Sequence, residues 1–81
     1  MTQQELIFRL RHEVLGDLCG LGYTVGESNK GVYIQSPYGF YYKPIVMTMV
    51  MRFVMSFPNI FNAVWLDDDR IYFDIIRFAR Y

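Results

Sequence analysis

The chain has 81 residues, no formal net charge, 53% hydrophobic residues and 19% aromatic ones. That length admits one domain, residues 1–81, and the apolar content excludes a disordered chain. The charge balance excludes both a strongly basic nucleic-acid grip and a strongly acidic mimic of nucleic acid.

Residues 2–21 read as an amphipathic helix. Thr2 and Glu5 have capping-box spacing, in which each side chain can satisfy an orphan backbone N–H. Leu6, Leu10, Val14 and Leu18 recur every four residues, Ile7 and Leu21 widen the stripe, and Glu5, Arg9 and Glu13 stand one turn apart on the wet side. Gly20 and Gly22 supply a stop. Residues 23–25 and 32–35 read as short strands around a turn at 26–31, and Pro37, Tyr38 and Gly39 as a second turn. Residues 40–43 read either as a third short strand or as an extended lead, since a residue before proline disfavours helix.

Pro44 and Pro58 bracket the next segment. Proline suits a first helical turn and ends a helix further on. Thr48, Arg52 and Ser56 are its only interior polar residues, spaced four apart. So apolar a helix is expected to be covered on most sides. Residues 60–66 then read as a strand, 67–70 as a turn and 71–78 as a returning strand. A helix is the rival for the last segment, because Arg70, Asp74 and Arg77 also fit helical spacing. The expected fold is α+β, a helix–hairpin–helix–hairpin order with two helices packed on one face of a small antiparallel sheet.

The longest apolar stretch, residues 45–57, carries Arg52 and is too short to span a bilayer. Charges interrupt any leader-like segment near the N-terminus, so the expected location is the cytoplasm. The lone Cys19 allows no internal disulfide and reads as a small buried hydrophobe.

No set of residues reads as catalytic. His12 lies among charges on the first helix with no nucleophile at matching spacing, which reads as a solvated side chain. Asp67, Asp68 and Asp69, with Asp74, could be read as a divalent-cation site. Three consecutive carboxylates do not point one way, however, and acids are at home in turns. No metal or cofactor is expected; a metal-dependent enzyme at these acids is the remote alternative. Met47, Met51 and Met55 lie on one helical face, with Met49 away from them. Core packing is the plain reading, and an adaptable groove the other.

Charge is asymmetric along the chain. No acid lies between Glu27 and Asp67, a stretch that holds Lys30, Lys43, Arg52, Tyr33, Tyr38, Phe40, Tyr41 and Tyr42. Tyrosine offers large contact area with a polar handle. The expectation is a small non-enzymatic protein–protein interaction module binding through Tyr38, Phe40, Tyr41, Tyr42 and Lys43. By analogy with other compact chains, phage-encoded ones included, it would be a regulator or inhibitor. Its aromatic surplus also suits a homo-oligomer. The alternative is weak nucleic-acid binding through Lys30, Lys43, Arg77 and Arg80, which three or four cations make unfavourable.

Overall fold

A computed structural model describes residues 1–39 and 42–75, apart from the side chains of residues 17–19. The class is α+β: helical segments accompany one four-stranded antiparallel sheet. Helix α1 is Gln3–Arg9, capped by Thr2, whose Oγ1 accepts from the Glu5 N–H at 3.1 Å. Arg9 pairs with Glu5 at 3.4 Å and with Glu13 at 3.2 Å, as the spacing requires.

The single long helix over residues 2–21 is not formed. The backbone widens into a π-helical turn at Leu10–Leu15 and continues as a 3-10 segment at Gly16–Leu21. A widened turn inserts one residue into the face, so Leu10 and Leu15, five apart, are both buried. Gly16 then takes φ +51 and breaks the run.

Strand β1 is Thr24–Ser28 and β2 is Gly31–Gln35, so the expected six-residue turn shrinks to Asn29 and Lys30. Tyr42 and Lys43 form the extended lead and not a strand; Lys43 has φ −62 and ψ 140, as a residue before proline should. Helix α2 is Pro44–Ser56. Strands β3 (Phe61–Asp67) and β4 (Arg70–Ile75) turn through Asp68 and Asp69. The strand reading of the C-terminal segment therefore holds for residues 71–75; Arg70, expected in the turn, begins the strand, and residues 76–78 lie outside the described residues.

The strand order is β1-β2-β4-β3, so β1 and β3 are the edges of the sheet formed by the described residues. Alternation sorts the side chains. Val32, Ile34, Ile71, Phe73 and Ile75 enter one core with Leu6, Leu10 and Val14 of the first helical run and Val46, Val50 and Phe53 of α2. The opposite face carries a transverse row in register, Gly26, Tyr33, Tyr72 and Trp65. No helix among the described residues is long and apolar enough to cross a membrane.

Candidate interaction surface

Helix α2 is not covered on most sides, contrary to what its composition suggests. Its buried residues are Val46, Val50 and Phe53, one stripe at i, i+4 and i+7. Turned away from that stripe, Met51 is 56% exposed and Met55 73%, while Ile45 on the flank is 57% exposed. The two hydroxyls on the helix turn inward to its own backbone: Thr48 Oγ1 donates to the Pro44 carbonyl at 3.0 Å and Ser56 Oγ to the Arg52 carbonyl at 2.9 Å. With those hydroxyls bonded, the solvent face of α2 is more apolar than its sequence suggests. Arg52 is exposed on the same face and makes no ion pair with another described residue.

Tyr38 and Lys43 lie at the N-terminal end of α2. Tyr38 is exposed, and the Lys43 ammonium lies 5.9 Å from its ring centre. Tyr42 is elsewhere: it is buried, and its hydroxyl is directed at the Ile34 carbonyl at 3.1 Å and at the Asp69 carbonyl. Burial pushes its pKa up to about 12. Tyr42 therefore ties the lead into α2 to the ends of β2 and the β3–β4 turn, and leaves a partner nothing to touch. Phe40 and Tyr41 lie outside the described residues. Of the five expected partner-binding residues, the described structure brings Tyr38 and Lys43 together.

The Asp triplet does not converge. Asp67 Oδ2 accepts from Lys30 Nζ at 2.7 Å, Asp69 Oδ2 from Gln35 Nε2 at 2.9 Å, and Asp74 Oδ2 from Asn62 Nδ2 at 3.1 Å. Asp68 sits at the turn with φ +55. No group of three potential metal ligands forms among the described residues. The Asp67 hydrogen bond raises the Lys30 pKa above its ordinary value and occupies one of the cations of the nucleic-acid reading. Arg77 and Arg80 lie outside the described residues. His12 is exposed and packs on Phe8, ring centres 4.4 Å apart.

Sequence reasoning missed the face of the sheet opposite the core. Trp65 stacks on Tyr72 at 5.4 Å and 20°, Tyr72 meets Tyr33 edge-on at 5.6 Å, and the Arg70 guanidinium covers Tyr33 at 4.1 Å. Arg70 also donates to the Tyr72 hydroxyl at 3.3 Å and to Gln35 Oε1 at 3.3 Å. The Tyr72 contact raises the Arg70 pKa. These rings mostly satisfy one another, since Tyr72 is buried, while Trp65 keeps an exposed edge on β3. The period-two alternation of β2 and β4 was the available signal; which strands lie side by side is not legible locally.

An open cleft of about 210 Å³ lies between the π-helical turn and α2, lined by Glu13, Val14, Met49, Arg52, Phe53 and Ser56. It is smaller than a drug-sized ligand needs. No protein-family model, curated protein or solved structure matches the chain.

Proposed function

We propose that this chain is a non-enzymatic protein–protein interaction module, a regulator or inhibitor of its partner, and that it binds through the solvent face of α2. The reading takes both helical runs as one layer on a single face of the sheet, with α2 turning its outer side to solvent. The observation that carries it is the exposure of Met51 and Met55, at 56% and 73%, on a helix whose hydroxyls are bonded back to its own backbone. Large apolar side chains gathered on one helical face mark interaction sites, and methionine adapts to irregular partners.

Lys43, directly before the start of α2, holds the exposed Tyr38 beside that end of the helix. Helix α2 itself carries Arg52 and no acid, Lys43 precedes it, and Glu13 stands across the cleft from Arg52, so the partner it fits is a protein with an apolar patch and carboxylates placed for these two cations. Opposite charge so placed steers encounter and selects partners. The alternatives draw less support. Lys30 is engaged by Asp67, which weakens a phosphate-binding loop, and Asp67, Asp69 and Asp74 each hold a different partner.

The test is affinity capture from nuclease-treated lysate with the native chain and a Met51→Glu, Met55→Glu variant. Both side chains are exposed, so the variant keeps its fold. A stoichiometric protein held by the native chain and lost by the variant is the expected result. A partner held equally by both places the surface elsewhere.

A further inference from the structure

Among the described residues, strand β3 is an edge strand without the usual guards. Natural edges are blunted by charge, proline or brevity. β1, at the opposite edge, is five residues long and includes Gly26 and Glu27. From Phe61 to Leu66, by contrast, β3 has no charge and no proline. Its only irregularity is a register shift between Phe61 and Ala63, which leaves the strand regular beyond that point.

The register shows what that edge presents. The two-residue turn at Asp68 and Asp69 makes Asp67 and Arg70 a hydrogen-bonded pair. Hydrogen-bonded and non-bonded pairs alternate in an antiparallel ladder, so Leu66 opposite Ile71 and Val64 opposite Phe73 are non-bonded pairs. The N–H and C=O groups of Val64 and Leu66 therefore face the open edge. Their side chains share the core side with Ile71 and Phe73, yet Val64 is 36% exposed and Leu66 53%. Helix α2 does not close over them. The cleft lined by Met49, Arg52 and Ser56 puts that flank of α2 against the π-helical turn, and the other flank carries Met47, which is also exposed.

We propose that a second copy of this chain pairs antiparallel along β3, with the two-fold axis at Trp65, so that two sheets become one. The inference rests on the interaction-module reading only in its premise that this uncovered apolar surface exists to be covered. A two-fold contact must be complementary to itself, and an uncharged strand meets that condition because no like charges face each other. With the axis at Trp65, Val64 pairs with Leu66 of the second copy and the reverse, using the N–H and C=O groups that face outward. Trp65 meets its own counterpart as a non-bonded pair on the sheet face opposite the core. Ala63 faces Asp67 of the second copy, so the carboxylates stay apart. The α2 flanks bearing Met47 approach across the joined sheet and cover Val64 and Leu66. An axis shifted toward the N-terminal end of β3 would run into the register shift at Phe61 and Ala63.

The contact is small, which places the expected affinity near the weak end for specific association, about 1 μM. Light scattering on a sizing column at about 100 μM, a hundredfold above that Kd, should give twice the 9.7 kDa of the chain. Trp65 is the only tryptophan, so its emission should shift on dilution through the dissociation range. Leu66→Lys should give a folded monomer at every concentration. In a Cys19→Ser background, Trp65→Cys should oxidise to a disulfide-linked dimer, since non-bonded antiparallel positions lie within disulfide reach. Met55→Glu, away from the β3 flank, should leave the dimer intact. A native chain that stays monomeric at about 100 μM, or a dimer indifferent to Leu66→Lys, overturns the proposal. A monomer that still captures a protein through Met51 and Met55 sinks the second-copy inference alone. A β3 dimer that captures nothing through α2 sinks the α2 reading alone.

Discussion

The carbonyl oxygen of Phe73 lies 2.6 Å from where a Cβ on Gly31 would stand, and Gly31 holds φ +127. Both facts follow from the β1–β2 hairpin returning directly against β4. Backbone cannot yield as a side chain can, and L side chains rarely adopt that φ. Gly31→Ala should therefore cost about 3 kcal/mol or more in urea unfolding, or prevent folding altogether.

Gly26 offers a graded contrast. A Cβ there would meet the Tyr33 hydroxyl at 2.7 Å, the far end of a side chain that can swing away. Swinging it away breaks the Arg70 stack on Tyr33. Gly26→Ala should cost about 1–2 kcal/mol, clearly less than Gly31→Ala. Equal losses at the two sites would contradict the placement of the Tyr33 ring.

Tyr42 titrates in a direction that can be measured. Its pKa rises from 10.0 to about 12 because burial penalises the phenolate. A folded-state pKa raised above the unfolded one gives stability that is complete below pH 10 and lost as pH rises toward 12. The native chain should therefore lose roughly 2 kcal/mol more than Tyr42→Phe across that window. Near neutral pH, Tyr42→Phe itself should cost about 1–2 kcal/mol by removing the donor from the Ile34 and Asp69 carbonyls. Parallel pH profiles for the two proteins would contradict the buried placement.

The acidic turn should behave as structure. Asp68 holds φ +55, which glycine adopts without steric cost, so Asp68→Gly should stabilise the chain by up to about 0.5 kcal/mol in thermal or urea unfolding, the larger chain entropy of glycine offsetting part of the relief. Mg²⁺, Mn²⁺ and Ca²⁺ should leave the Tm unchanged, because Asp67, Asp69 and Asp74 are directed to three different partners. A metal-dependent rise in Tm would revive the cation-site reading.

Local chemistry was legible where its causes are local. The Thr2 cap, the Arg9 pairs, the proline bracket of α2 and the turn between β3 and β4 all depend on residues within a few positions of each other. The length of α1 was not legible, because a widened turn slips the apolar phase by one residue without changing composition, and so brings in Leu15. The candidate surface was half legible. Met47, Met51 and Met55 announce one face by their spacing, but whether that face is covered depends on strand order and helix placement. Tyr42 resembles its neighbours in sequence and is separated from Tyr38 only by long-range carbonyl partners, Ile34 and Asp69. The open edge of β3 likewise follows from the order β1-β2-β4-β3 and not from its residues.

Methionine oxidation footprinting tests the central claim most directly, reading all 5 methionines in the free chain and in the partner complex isolated by capture. In the free chain Met51 and Met55 should oxidise fastest and the half-buried Met49 more slowly, in line with their exposure. In the complex the account predicts strong protection of Met51 and Met55 with little change at Met1. Unchanged oxidation of Met51 and Met55 in a stoichiometric complex would contradict it, and would move the binding surface off α2.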